Sequence, residues 1–402
     1  MLTMVHNPIS PAAIDLFLND LVSTLYRMAR PAGRDHRLTV PVLSHPDAVH
    51  AVLNNPGQFP KSWGLLGDWG RSRFTANGAE WQWRRALTQR AYVSAGSEQN
   101  GEAVRSVYEA RLANADNSPA GIQRALMLAA SEVFFSAFGC TADLEELLTL
   151  FERARAHIKR LQFFTWHNPT DSDSAAIRDE ARDITQDFEG TVGRSTTIQR
   201  LIASFKAQAA EQAVFDPFHE LLMNFFAAIE TTAATLCFAI DRLGLNAAAQ
   251  DRLHGEDLQG GEVYINCFIN ETLRYFPTVP FVVREAAEKI ELDGIALLRG
   301  QTFLISIIGL HHDVQRWVEP EIFDSSRKEF LTNTFDRRSF LPFLVGPRMC
   351  GGAKLAGLEL REGLRAFVRS FEVSNSSEDV GFDYGITLRP RHLGEMTFGR
   401  RS

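Results

Sequence analysis

The residue with the most chemistry to offer is Cys350. It stands in the segment Phe343-Leu344-Val345-Gly346-Pro347-Arg348-Met349-Cys350-Gly351-Gly352, ahead of an amphipathic stretch, AKLAGLELREGLRAFVRSF, that reads as a helix. The other cysteines, Cys140, Cys237 and Cys267, are scattered without CxxC pairing, so neither a disulfide framework nor a structural zinc site is indicated. A lone cysteine can still ligate a metal as its thiolate. Such a ligand has to stay deprotonated and shielded from water, and backbone N–H groups aimed at the sulfur tune its electron density. Gly346 and Gly352 have no Cβ to obstruct a flat macrocycle, Phe343 can pack against one, and Arg348 offers a planar fork to a carboxylate. The bland alternative is a buried, inert cysteine in a turn.

At all five fixed positions the segment resembles the FxxGxRxCxG signature of the cytochrome P-450 superfamily, with Leu355 and Ala356 also in the usual place. The resemblance implies haem b with Cys350 as axial ligand of the iron, in contact with Arg348, Phe343, Gly346 and Gly352. Three further stretches resemble family elements in the family's order. Glu271-Thr272-Leu273-Arg274 would be an ordinary solvated helix pair in isolation. Followed by Tyr275-Phe276-Pro277, it resembles the ExxR element, and Arg327 closes a segment like PxxFxPxR, with Ser325 in place of its proline. Glu271, Arg274 and Arg327 are then structural. Phe225-Phe226-Ala227-Ala228-Ile229-Glu230-Thr231-Thr232 resembles the oxygen-binding motif (A/G)Gx(D/E)T(T), with Ala228 where glycine is usual. It implies Thr231 and Glu230 as the alcohol and acid that deliver protons from a locally distorted helix. Gly78-Ala79-Glu80-Trp81-Gln82-Trp83-Arg84-Arg85 resembles the WxxxR helix, so Trp81, Arg85 and the later Arg284 are expected at the haem propionates. By position in these motifs, Met223, Phe226, Ala227, Pro280, Phe281 and Val282 line an apolar pocket, capped by Trp63 to Phe74 and Phe163 to Trp166.

The implied activity is a monooxygenase that inserts one atom of O2 into a small-to-medium hydrophobic molecule. Its electrons derive from NAD(P)H through a ferredoxin or flavodoxin-type donor with its reductase, since the chain ends soon after Pro390 with no attached redox domain. Arg84, Arg90, Lys354, Arg361 and Arg365 would offer that donor a basic patch. A peroxide-driven or rearranging haem-thiolate enzyme and a non-catalytic haem ligand sensor remain as alternatives. His311-His312-Asp313 suggests a metal site at first sight, but adjacent histidines rarely converge on one ion.

The elements that must hold these residues are mostly helices. The chain has 402 residues with 45% hydrophobic and 23% charged content, a normal globular composition. Its net charge of −7 argues against nucleic acid. No stretch approaches the roughly 20 apolar residues that span a bilayer, so no transmembrane anchor is expected. The reading is a cytoplasmic, bacterial-type monomer. Periodicity predicts helices over 10–30, 79–92, 122–139, 144–164, 217–243 and 262–275, with loops at 114–119, 167–174 and 374–379. Strands are expected at 38–42 and in EKIEL and QTFLISI, separated by Asp293-Gly294 and Arg299-Gly300 turns. The fold class is mainly α with small β-sheets, a single triangular helix-rich domain over 1–402. Its β region runs from about 280 to 310 and is joined by N- and C-terminal strands.

Overall fold

In a computed structural model of the chain, residues 10–29, 40–63, 69–167, 169–209, 215–391, 393 and 395–401 are described. Apolar spacing of three and four residues becomes helix wherever a cap is at hand. Helix α1 (Pro11–Ala29) buries Ile14, Leu18, Leu21, Val22 and Leu25, which recur at helical spacing on one face. Next come α2 (Pro46–Asn54), α3 (Gly78–Ala95), α4 (Gly101–Ala113), α5 (Pro119–Ala137) and α6 (Leu144–Trp166). The stretch 167–174 is only partly the expected loop. Thr170 and Asp173 form a reciprocal capping box that starts α7 (Asp171–Val192), so turn-forming residues here serve as an N-terminal cap. Helix α8 (Thr196–Gln208) leads on to α9 (Pro217–Gly244), capped by Asp216, whose side chain accepts from the N–H groups of Phe218 and His219.

Helix α9 is apolar on nearly every face because protein surrounds it. It is long and apolar enough to cross a membrane by composition, yet 83% of its most apolar window is buried inside the fold, as in a core helix. Helices α10 (Ala247–Leu258), α11 (Val263–Tyr275), α12 (Ile307–His311), α13 (Lys328–Leu331) and α14 (Ala353–Ser370) complete the helical part. Helix α14, which follows the cysteine segment, packs against α4 and α9, while α9 also packs on α5. The cysteine segment and the Glu230-Thr231 stretch are thereby brought to facing walls.

The sheets are small. Strand β1 (Val42–Leu43) runs parallel to β5 (Thr302–Ser306), which pairs antiparallel with β2 (Phe281–Glu285), Arg284 lying opposite Phe303. The N-terminal strand begins later than expected; Leu38 and Thr39 lie outside the described residues, and the Pro41 carbonyl accepts from Leu304 N–H. Strands β3 (Ile290–Leu292) and β4 (Ile295–Leu297) form a hairpin whose turn residues, Asp293 and Gly294, both have positive φ (49° and 72°). That geometry suits the primed turn an Asp-Gly pair favours. Near the C-terminus β6 (Phe371–Ser374) pairs with β9 (Thr397–Arg400), and β7 (Phe382–Tyr384) with β8 (Leu388–Pro390).

Candidate functional site

Beside the cysteine segment, the Glu271 carboxylate accepts from Arg274 Nε at 2.7 Å and Nη2 at 2.8 Å, from Arg327 Nε at 2.7 Å, and from the Asp324 N–H at 2.9 Å. The guanidiniums bond carbonyls in turn: Arg274 those of His311 and Pro320, Arg327 those of Val318 and Ile322. The three side chains are all but fully buried, and both carboxylate oxygens and every guanidinium nitrogen find a partner, which is what offsets their desolvation. Their contacts tie α11 to the 311–327 segment. His311 and His312 belong to this core: His311 Nε2 accepts from Leu341 N–H, and His312 meets the Tyr275 carbonyl. No cluster of metal-ligating side chains occurs among the described residues.

The cysteine loop closes on itself through Cys350 N–H to the Phe343 carbonyl (2.9 Å) and Met349 N–H to the Gly346 carbonyl (3.1 Å). Cys350 opens onto an internal cavity walled by α9, the start of α14, β2 and the loops before α3. Burial raises its thiol pKa, while the Gly352 N–H and the charges of Arg73 and Lys61 act the other way. The two glycines of the loop differ. A Cβ on Gly352 would meet open space, as a site for a flat group requires. Gly346 does not line the cavity; it has φ +79°, and a Cβ there would come within 2.6 Å of the Leu53 carbonyl, so glycine is needed for backbone shape and close packing on α2. Gly346→Ala is expected to cost at least about 2 kcal/mol, read from the denaturant midpoint, with less haem retained.

The cavity has a cationic end. Lys61, Arg73, Arg284 and Arg348 all line it, and none forms an ion pair with a carboxylate among the described residues. They are held by neutral partners. Arg348 donates to the Ala76 carbonyl (2.7 Å) and Asn77 Oδ1 (3.4 Å), and its guanidinium lies 4.6 Å from the Trp81 ring centroid. Asn77 also grips the backbone of Lys61, whose Nζ donates to the Phe74 carbonyl at 2.8 Å. Arg73 donates to Thr88 and Gln89, and Arg284 only to the Val283 carbonyl. Burial, joined by its guanidinium neighbours Arg348, Arg284 and Arg73, pushes the Lys61 ammonium pKa well below its usual range; Arg284 and Arg348 fall to about 10 for the same first cause. Four cations without a carboxylate partner, Arg284 and Arg348 buried and Lys61 and Arg73 half-buried, fit a bound dianion, and a thiol facing the same space fits iron. The two propionates and metal of haem b supply that combination. Trp81, Arg284, Arg348, Phe343 and Gly352 line the cavity as expected from the sequence. Arg85 does not: it is exposed, set against the outer side of Trp81. Lys61 and Arg73 take that end of the cavity, and no motif marked them.

On the opposite wall α9 runs unbroken as α-helix, without the expected local distortion. Thr231 lines the cavity with its Oγ1 bonded to the Ala227 carbonyl (3.2 Å), and Thr232 bonds the Ala228 carbonyl likewise. Glu230 faces elsewhere. Its carboxylate is taken up by Arg155 of α6 and Thr387 beside β8, with Arg389 at 3.9 Å, so it fastens three elements instead of lining the cavity beside Thr231. The carboxyl group that does line the cavity is Glu359 of α14, 4% exposed, whose pKa burial raises well above the carboxylate range against the pull of a hydrogen bond with Thr232.

Met223, Phe226, Ala227, Phe281 and Val282 line the apolar part. Pro280 does not; its carbonyl accepts from Ile307 and Ile308, and Thr278 and Val279 take its place. Of the expected caps, Trp63, Arg73 and Phe74 contribute, residues 64–68 lie outside the described set, and Phe163 instead stacks on His167 at 4.0 Å. The side chains of Thr165 and Trp166 lie outside the described set as well. The basic patch is mostly neutralised within the fold: Arg84 is buried against Glu80 and Glu220, Arg361 pairs with Glu98, and Arg365 with Glu362. Arg90 and Lys354 stay exposed.

Comparison with known proteins agrees with this geometry. "Cytochrome P450 4X1" of Mus musculus is 33% identical over 207 residues, covering 46% of this chain and 40% of that protein. "Probable cytochrome P450 4s3" of Drosophila melanogaster is 32% identical over 194 residues, 46% and 39% of the two chains, and "Probable cytochrome P450 4ac1" of the same fly is 29% identical over 219 residues, 50% and 42%. The matched stretch thus spans less than half of each relative. These relatives are animal proteins, and they lend no support to the bacterial-type expectation. The family model described as Cytochrome P450 matches residues 35–391, nearly the whole chain. This chain belongs to the cytochrome P450 family.

Proposed function

We propose that the protein is a haem-thiolate monooxygenase acting on a small-to-medium hydrophobic molecule. The observation that carries this reading is one cavity faced at once by the Cys350 thiol, by four unneutralised cations and by the Thr231 hydroxyl. Haem, when bound, supplies the activation of O2. Cys350 would hold the metal, and Lys61, Arg73, Arg284 and Arg348 the propionates. Met223, Phe226 and Phe281 exclude water from the substrate side.

The Thr231 hydroxyl lines the cavity and donates to the Ala227 carbonyl, from which it would have to turn to deliver a proton, and Glu359, whose pKa burial raises, is the carboxyl group on the cavity wall beside Thr232. Glu230 positions α9 through Arg155 and Thr387. Thr231→Ala is expected to lower product formed per NAD(P)H consumed by roughly tenfold or more, with the lost reductant recovered as peroxide. Unchanged coupling would move proton delivery to ordered water or to the substrate.

Electrons would come from a separate ferredoxin or flavodoxin-type donor with its reductase. Arg90 and Lys354, with the exposed Val93 beside them on α3, offer it a surface near the cysteine loop. Mass spectrometry of reactions supplied with NAD(P)H, O2 and such a donor tests the activity. Product driven by peroxide alone would select the peroxide-driven alternative, and no product under either condition would select a ligand sensor.

A further inference from the structure

The substrate side of the cavity is apolar except for a few groups whose chemistry is not spent. Gln162 of α6, Thr278 and Tyr384 of β7 line it, and each is at least nine-tenths buried. Their side-chain amide, hydroxyl and phenol make no hydrogen bond to any described residue, whereas Thr231, Thr232 and Thr235 bond helix carbonyls, Asn224 bonds Glu220 and Tyr92, and Thr387 bonds Glu230. Nor are they sealed into packed protein, as the Tyr108 hydroxyl is. Buried polar groups are almost always partnered, and one left open to a cavity is satisfied by whatever fills it. The elements that carry Gln162 and Tyr384 are locked to each other by Arg155 and Lys159 of α6, both bonded to Asp383.

Charge on this wall is balanced. Arg155 meets Glu230 and Asp383, Lys159 meets Asp15 and Asp383, and Arg389 meets Glu152 and Asp383. The unneutralised cations belong to the other end, around Asn77 and the cysteine loop. Among the described residues the one carboxyl group on the cavity wall outside these pairs is Glu359 beside Thr232, whose pKa burial raises well above the carboxylate range.

We propose that Gln162 and Tyr384, with Thr278, form a neutral polar anchor, and that the substrate is an uncharged hydrophobic molecule bearing a hydroxyl or carbonyl group that this anchor holds. The assignment rests on the cavity being the substrate pocket of a haem-thiolate enzyme. Tyr384 and the Gln162 amide can each donate to a carbonyl, and the Gln162 Oε1 can accept from a hydroxyl. Fixing one end of an apolar molecule decides which of its carbon atoms lies nearest the Cys350 side, so the anchor sets regiochemistry as well as affinity.

The test compares adamantanol, adamantane and adamantane carboxylate, which share one apolar body, by calorimetric titration of the haem-loaded protein. Gln162→Leu and Tyr384→Phe are each expected to weaken adamantanol about three- to tenfold and to leave adamantane unchanged or bound more tightly. The carboxylate should bind most weakly to the parent protein. Adamantanol affinity unmoved by both substitutions, or tightest binding of the carboxylate, would overturn the anchor. Failure of the underlying reading shows separately, as loss of the thiolate-type absorption of the ferrous carbonyl complex in the same parent preparation, whatever the order of affinities.

Discussion

Cys350→Ala is expected to abolish the thiolate-type absorption of the ferrous carbonyl complex and to take turnover to background, while leaving most of the fold intact. The loop around Cys350 is held by its own backbone, through Cys350 N–H to Phe343 and Met349 N–H to Gly346, and neither bond needs the sulfur. The thiol, by contrast, has no substitute: Cys140, Cys237 and Cys267 are buried elsewhere, and none lines the cavity. Nor does any histidine among the described residues. The variant should still bind haem weakly, because the dianion can be held by Lys61, Arg73, Arg284 and Arg348. The measurement is the reduced carbonyl difference spectrum beside the far-ultraviolet circular dichroism of each protein. A histidine-type band in the parent protein would sink the assignment of Cys350.

Glu271→Ala should be the most damaging substitution away from the cavity, at about 3–5 kcal/mol. The loss is large because removal of this one carboxylate leaves two buried guanidiniums, Arg274 and Arg327, facing each other with no counter-charge. Set against a total stability of about 5–15 kcal/mol, that is enough to leave much of the chain unfolded or unable to retain haem. Denaturant midpoints and the haem-to-protein ratio after purification measure both effects. Replacing all three charged residues by methionine should cost less than removing Glu271 alone, since it is the unpaired charge and not the absent bridge that destabilises. A midpoint for Glu271→Ala indistinguishable from the parent would show that the pairs are solvated.

Much of this was legible because it is local in sequence. Helix faces follow from spacing, as in α1, and the Asp293-Gly294 hairpin turn from residue type alone. Misreadings came where one residue type serves two structures. Thr170 and Asp173 sit in a turn-rich stretch yet cap a helix, and Gly346 reads as clearance for a cofactor yet serves a left-handed backbone against Leu53.

The sequence by itself determined the family and the mainly helical architecture and pointed to Cys350 as the proposed iron ligand, because the cysteine loop, the Glu271–Arg274 pair and the helix periods are each written within a few consecutive residues. Only the tertiary structure decided where charge ends up. Glu230 adjoins Thr231 in the chain, but Arg155, which lies 75 residues away, draws its carboxylate out of the cavity. Arg85 and Pro280 match their motifs, yet their side chains line nothing; Lys61, Arg73, Glu359, Gln162 and Tyr384 match none and line the cavity. Electrostatic and hydrogen-bond partners in a folded chain are chosen by distance in space, and that distance exists only once the helices have packed.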